Sequence, residues 1–125
     1  MLKKILIVDD DITVQRLLEF ILRKFSDVDV FIASDGDMAL DIIRKEKPNL
    51  IFLDFMMPGK NGIEVCREVK NDPELKNSYI VMLTAKGEEA DVKDMFEAGA
   101  DEYVPKPFTP SEIAEIVRKI IYKEQ

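Results

Sequence analysis

Apolar and polar residues follow two different periods along this chain. Short unbroken apolar runs are typical of strands buried on both faces, whereas apolar residues that recur every three or four positions form the buried stripe of a helix. The pattern predicts five strands, over residues 5–8, 28–33, 50–53, 79–83 and 101–104. A segment of helical periodicity or helix-capping sequence follows each strand, so strands and helices alternate.

Apolar stripes define three of the predicted helices. The first helix is expected to bury six residues, which are Val14, Leu17, Leu18, Ile21, Leu22 and Phe25. The second helix, which Pro48 ends, is expected to bury Met38, Ala39, Ile42 and Ile43. The fifth helix is expected to bury Ile113, Ile116, Val117, Ile120 and Ile121.

Capping residues mark the bounds of the remaining elements. Asn61, with Glu64 at the third helical position, predicts the start of the third helix, and Gly99 is suited to the left-handed end of the fourth. The run Thr109-Pro110-Ser111-Glu112 predicts a capping box at the start of the fifth.

Alternating strands and helices imply a parallel sheet covered on both faces, which is a three-layer, doubly wound (βα)5 fold of the α/β class. The 125 residues fit one domain over 1–125, and no repeat or linker divides them. Such a chain buries enough surface to fold without a disulfide or structural metal. Cys66, the single cysteine, is expected to pack in the core.

Charge and composition exclude several classes of function. Aspartate and glutamate number 25 against 18 lysines and arginines, which gives a net charge of −7 that disfavours direct nucleic-acid binding. Histidine is absent, so catalysis by a histidine base is excluded. The first apolar run, residues 5–8, is too short for a signal peptide or membrane insertion, and we expect a cytoplasmic protein.

Carboxylates follow two of the predicted strands. Asp9, Asp10 and Asp11 follow the first strand and Asp54 follows the third. The carboxyl ends of parallel strands share the edge where ligands bind, and two charges about 5 Å apart at an effective dielectric of about 20 repel by about 3 kcal/mol. Neighbouring strands would therefore create a cluster that binds a cation or shifts a pKa. Helix capping is the alternative, but it explains only one of these residues.

The chemistry of the candidate ligands selects the ion. A few carboxylates with room for water favour Mg²⁺ over Ca²⁺. Lys106, between Pro105 and Pro107, is expected to face the acidic cluster, and the sequence leaves its peptide bond to Pro107 cis or trans. Thr84 adds a hydroxyl at the same edge, with a simple hydroxyl-stabilised turn as the alternative.

Taken in order, these residues resemble the receiver domains of two-component response regulators. The resemblance is carried by Asp9-Asp10, by Asp54 with Met57-Pro58 and Gly62, by Thr84-Ala85, and by Lys106-Pro107-Phe108. It extends from the first strand to the last helix, and it implies the strand order 2-1-3-4-5.

The resemblance implies a role for each residue of the site. Asp54 is the expected phospho-acceptor, taking a phosphoryl group from a histidine kinase or a small acyl phosphate. Asp10, Asp54 and the carbonyl oxygen of Met56 are expected to hold Mg²⁺, or Mn²⁺ as an alternative, and Asp9 to act mainly through a bound water. Lys106 is expected to pair with Asp54 and then with a phosphoryl oxygen.

Two surfaces are expected to carry the signal. Thr84 is expected to bind the phosphoryl group and move inward, and Tyr103 to rotate into the space beside the small Ala85; a static Tyr103 is the alternative. A docking patch for the kinase is expected from Ile12, Met57, Pro107 and Phe108, with Met56 nearby, although an exposed isoleucine often has no function.

The resemblance also implies partners. A sensor histidine kinase or phosphotransfer protein is expected upstream and an effector protein downstream, with the chain a monomer or weak dimer. It is expected to be a signalling domain rather than an enzyme, and to catalyse only its own phosphorylation and dephosphorylation. Its starting Met1 and its end after the fifth helix favour a single-domain regulator over a domain of a larger protein.

Three other protein classes fit the sequence less well. A flavodoxin-like protein needs a Ser/Thr/Gly-rich phosphate loop where this chain has three aspartates. A P-loop nucleotidase needs Gly-x-x-x-x-Gly-Lys-Ser/Thr, which is absent. A phosphatase with an aspartate nucleophile usually carries that residue after the first strand and has a larger cap.

Overall fold

Five parallel strands form one sheet, in which the strands lie in the order second, first, third, fourth and fifth along the chain. The computed structural model describes residues 2–123, so Met1, Glu124 and Gln125 lie outside it. The strand bounds are β1 Lys3–Val8, β2 Val28–Ala33, β3 Leu50–Asp54, β4 Tyr79–Thr84 and β5 Glu102–Pro105. The predicted sheet and its strand order are confirmed.

Helices cover both faces of this sheet. They are α1 Ile12–Leu22, α2 Gly36–Glu46, α3 Gly62–Lys70, α4 Val92–Glu97 and α5 Pro110–Ile120, with a 3₁₀ turn at Glu89–Asp91 before α4. One apolar core lies between the sheet and α2, α3 and α4, and a second lies between the sheet and α1 and α5. The predicted doubly wound α/β fold is confirmed. None of the helices described is long and apolar enough to cross a membrane.

The predicted caps are present. Asn61 and Thr109 each accept from the main-chain N–H three residues later, while Glu64 and Glu112 reach back to complete the capping boxes. Gly99 has φ 106°, the left-handed conformation that ends the turn after α4.

Two predicted stripes are wrong at one position each. Leu17 is 38% exposed and Met38 is 43% exposed, whereas Leu40, which the second stripe omitted, is buried. A helix turns by about 100° per residue, which places Leu17 at the rim of the buried stripe, whereas Leu18 lies near its centre. Met38 lies on the side of α2 opposite Gly36 and Leu40, which are buried.

At the amino-terminal edge of the sheet, the ammonium group of Lys70 makes three hydrogen bonds. Lys70 Nζ donates to the main-chain oxygens of Lys76 and Ser78, at 3.1 and 2.7 Å, and to Asp101 Oδ2 at 2.8 Å. Asp101 Oδ2 also accepts from the N–H of Ile80. These contacts fasten the end of α3 to the segments that precede β4 and β5.

Candidate functional site

Three carboxylates meet at the carboxyl edge of the sheet. Strands β1 and β3 are neighbours with Val8 opposite Leu53, so the chain brings Asp9 and Asp54 out side by side. One oxygen from each of Asp9, Asp10 and Asp54 lies within 4.8 Å of the others. Asp9 and Asp54 are buried and Asp10 is exposed, so the cluster is open to solvent on one side.

Lys106 is the cation that faces this cluster. Its Nζ lies 2.9 Å from Asp9 Oδ2 and donates to Asp54 Oδ1 at 3.2 Å. Its main-chain N–H donates to the carbonyl oxygen of Thr84 at 2.6 Å, and its peptide bond to Pro107 is cis. Burial opposes its charge, but Asp9 and Asp54 outweigh this and raise the pKa of Lys106 above its usual value.

Asp54 lies in an environment that disfavours its charge. Loss of hydration on burial, followed by repulsion from Asp9, raises the pKa of Asp54 from 3.8 to about 7, although Lys106 opposes the rise. Without a second cation, Asp54 is therefore partly protonated near neutral pH.

The donor set fits a hard divalent cation. Asp9 Oδ1 accepts from the N–H of Asp11, while Asp9 Oδ2 is fully buried 2.9 Å from Lys106 Nζ. The three carboxylates also carry more charge than Lys106 neutralises. An oxygen-only site with excess negative charge suits Mg²⁺ or Mn²⁺.

Asp11 has a different role from its neighbours. It is the N-cap of α1, and its Oδ1 accepts from the N–H of Thr13 at 2.8 Å. Helix capping, the alternative considered from the sequence, therefore applies to Asp11 and leaves Asp9, Asp10 and Asp54 for the site.

The end of β4 completes this edge. Thr84 is the last residue of the strand and is buried. The next residue, Ala85, donates its main-chain N–H to Glu88 Oε1 at 2.6 Å, and sequence reasoning missed Glu88. Glu88 lies three residues after Ala85, which is the spacing found in the two capping boxes. This spacing is the sequence signal that could have identified Glu88.

The predicted switch residue lies at the surface. Tyr103 on β5 is 39% exposed, and its ring packs edge to face on Phe96 of α4 with 6.0 Å between ring centroids. It is therefore outside the carboxylate cluster in this structure, on the surface formed by α4 and β5.

The predicted docking patch is wrong for two of its residues, which are buried. Ile12 and Met56 are 59% and 58% exposed, and Pro107 is exposed. Met57 and Phe108 are each only 8% exposed, because they pack into the two cores on opposite faces of the sheet. A partner can reach the first three residues but little of the last two.

Comparison with known structures gives close matches over nearly the whole chain. A protein of Chloroflexus aurantiacus J-10-fl assigned to the response regulators is 38% identical, with 98% of this chain and 99% of that chain covered and a TM-score of 0.89. The receiver domain of sensor histidine kinase PA1611 from Pseudomonas aeruginosa PAO1, which has a magnesium ion in its active-site cleft, is 26% identical, with coverage of 98% and 99% and a TM-score of 0.87. The Mn²⁺-bound response regulator Rcp1 is 28% identical, with coverage of 98% and 96% and a TM-score of 0.83.

A family model agrees with these structures. The model of the response regulator receiver domain matches residues 5–118, which include the whole acidic site, Thr84 and Lys106. The fold, the order of the strands and the carboxylate cluster are those expected from the sequence. This chain therefore belongs to the receiver domains of two-component response regulators.

Proposed function

We propose that this receiver domain accepts a phosphoryl group on Asp54, in a Mg²⁺-dependent reaction, and thereby changes the surface that it presents to a partner. The observation that carries the proposal is the Asp54 carboxylate, held 3.2 Å from Lys106 Nζ inside a cluster of three carboxylates. Receiver domains are signalling domains rather than classical enzymes, and they interact with histidine kinases and downstream effectors.

The transfer itself is a substitution at phosphorus. A carboxylate oxygen of Asp54 forms the new P–O bond. The P–N bond to a phosphohistidine, or the P–O bond to an acyl group, breaks and leaves its electron pair on the imidazole nitrogen or the acyl oxygen. A carboxylate needs no base to act as nucleophile, so the absence of histidine is no obstacle.

The chain supplies positive charge and hydrogen-bond donors. Phosphoryl transfer depends mainly on alignment and on stabilising charge at the phosphoryl oxygens. Lys106 can exchange its contact with Asp54 for a phosphoryl oxygen without moving far, and the Thr84 hydroxyl is placed on the adjacent strand for another.

The metal ligands are proposed from the same cluster. Asp10, Asp54 and the Met56 carbonyl oxygen would bind Mg²⁺ directly, with Asp9 acting mainly through water, and Mn²⁺ is the alternative ion. When bound, the ion neutralises negative charge on the carboxylates and on the incoming phosphoryl group. The relatives crystallised with Mg²⁺ and Mn²⁺ support this assignment.

Two surface roles belong to the same proposal. Movement of Thr84 towards the phosphoryl group would free space beside Ala85 for Tyr103, whose exposed ring packs edge to face on Phe96. Identical rotamer populations of Tyr103 in the free protein and with a phosphoryl mimic would contradict this switch.

Kinase docking is proposed at the exposed part of the patch, Ile12 with Pro107 and the adjacent Met56. Ile12→Glu should slow transfer from a phosphorylated kinase or phosphotransfer protein but leave labelling by acetyl phosphate unchanged. An equal loss in both reactions would contradict a docking role. Phe20→Glu, on the same helix and 64% exposed, provides a control for a charge placed elsewhere on α1.

The remaining attributes complete the proposal. The domain would span residues 1–125 and act in the cytoplasm as a monomer or weak dimer. It would contact a histidine kinase or phosphotransfer protein and an effector protein, without binding nucleic acid directly.

The decisive experiment uses a small phosphodonor. Incubation with acetyl phosphate and Mg²⁺ should add one phosphoryl group to the intact protein, as measured by mass spectrometry. Asp54→Asn should abolish the adduct, whereas Asp11→Asn, which replaces a neighbouring carboxylate outside the cluster with another good helix cap, should retain it. An adduct that persists in Asp54→Asn would refute the assignment.

A further inference from the structure

We infer that Glu88 is a positioning residue that blocks a phosphoryl-binding donor until the phosphoryl group arrives. This inference rests on the proposed function, because it concerns access to the same site. Glu88 lies in the connection between β4 and α4, outside the carboxylate cluster, and is only partly exposed. Its carboxylate holds the main-chain N–H of Ala85 at 2.6 Å.

The direction of that N–H follows from the sheet. The carbonyl oxygen of Thr84 accepts from Lys106, so it points towards β5. Because the C=O and N–H of a trans peptide point to opposite sides, the N–H of Ala85 points towards β3, the strand that ends at Asp54. In register, Asp54 lies opposite Leu83, so Ala85 is just beyond the level of the phospho-acceptor.

Strand β3 offers this donor no partner of its own. The ladder between β3 and β4 ends when Phe55 donates to Leu83, and the carbonyl oxygen of Phe55 accepts from Gly62 instead. Main-chain N–H groups aimed at the phosphoryl position are the donors that such a reaction needs. In this chain the donor is already occupied by an anion.

Glu88 makes two hydrogen bonds with Ala85, one through its main chain and one through its side chain. Its own N–H donates to the carbonyl oxygen of Ala85 at 3.2 Å, while its side chain accepts from the Ala85 N–H. The next residue, Glu89, accepts from the N–H of Gly87 through Oε2 at 3.0 Å. The two glutamates thus hold different donors of one short loop.

Two anions cannot share the Ala85 N–H. A phosphoryl group on Asp54 brings close to two negative charges, which repel the Glu88 carboxylate and compete for its donor. Phosphorylation therefore requires Glu88 to release Ala85, and this release opens the loop that leads to the 3₁₀ turn at Glu89–Asp91 and α4.

The test compares Glu88→Ala with Glu89→Ala under acetyl phosphate and Mg²⁺, with intact mass as the readout of the initial rate. Freeing a donor held by a carboxylate should accelerate labelling about fivefold in Glu88→Ala. Glu88→Gln, which can still accept the hydrogen bond but has no charge, should give a smaller increase. Glu89→Ala loosens the same loop without freeing Ala85, so it should keep the wild-type rate.

A second readout reports on the Ala85 N–H directly. The amide resonance of Ala85 in the ¹H–¹⁵N spectrum should move on phosphorylation of the wild-type protein, and in Glu88→Ala it should already be shifted from its wild-type position before phosphorylation. Equal rates in all proteins, a slower Glu88→Ala, equal acceleration by Glu89→Ala, or an Ala85 amide that ignores phosphorylation would each overturn the inference. Failure of the wild-type protein to become labelled would instead overturn the proposed function.

Discussion

The two edges of the sheet each hold a lysine against aspartate, but they are balanced differently. At the amino-terminal edge, Lys70 meets one carboxylate, Asp101, and two main-chain oxygens, so charge and hydrogen bonds are matched. At the carboxyl edge, Lys106 faces Asp9 and Asp54, with a third carboxylate within 4.8 Å. The first edge is arranged for stability, and the second retains excess negative charge that an added cation can neutralise.

The largest effect is expected from removing Lys70. Lys70→Met leaves three oxygens at the amino-terminal edge without their donor, and we expect it to lower the free energy of unfolding by about 3 kcal/mol. Lys106→Met should also destabilise the protein, because the carboxylates then repel without a counter-charge. Thermal unfolding in EDTA and in MgCl₂ separates the two edges. Mg²⁺ stabilises every protein that keeps the site, but it should narrow the Tm difference from the wild type only in Lys106→Met. A difference that narrows in both variants, or in neither, would show that the contrast between the edges is wrong.

A smaller effect is expected from pH in the absence of metal. The pKa of Asp54 is raised from 3.8 to about 7, so the folded protein holds a proton there that the unfolded chain has lost. The folded state binds more protons between about pH 4 and 7, and the contribution of Asp54 to the free energy of unfolding therefore falls as pH rises through that range. We expect the free energy of unfolding to fall by about 2 kcal/mol. This is roughly half of the value that the whole pKa shift would give at about 1.36 kcal/mol per pKa unit.

Urea denaturation at several pH values measures this contribution. Asp54→Asn should lack the fall, and saturating Mg²⁺ should remove it from the wild-type protein because the ion favours the ionised carboxylate. The same pH dependence in Asp54→Asn and the wild type would contradict the raised pKa.

The smallest effect is expected from changing a single metal ligand. Asp10→Asn should weaken Mg²⁺ binding about tenfold, which reduces the stabilisation at a fixed Mg²⁺ concentration by at most about 1.4 kcal/mol. The rise of Tm with MgCl₂ measures this change, and Asp11→Asn should titrate like the wild type because Asp11 only caps α1. Equal weakening by both substitutions would indicate a diffuse electrostatic effect rather than a site.

Much of this architecture could be predicted from local pattern alone. The central strands β1, β3 and β4 were recognisable because both of their faces are largely buried. The caps at Asn61 and Thr109 were recognisable because capping depends on residues three apart. Asp54 stood out as a carboxylate at the end of an apolar run. The order of the strands came from the family resemblance, since the periodicity of a strand does not say which strand is its neighbour.

The misses arise where the local pattern does not determine the three-dimensional environment. Leu17 and Met38 are apolar, but the helix turns them away from the sheet. Met57 and Phe108 were expected at the surface, yet the chain turns them into the cores. The contact of Glu88 with Ala85 depends on the path of a loop, which a three-residue spacing alone does not determine.

Lys106 connects the ends of β4 and β5 and also contacts two carboxylates. Its main chain is tied to the carbonyl oxygen of Thr84, while its ammonium group is tied to the carboxylates. A displacement at the end of β4 would therefore act on the backbone that continues from β5, the strand that carries Tyr103 three residues earlier. This tether links Asp54 to the molecular surface by a route that does not pass through either apolar core.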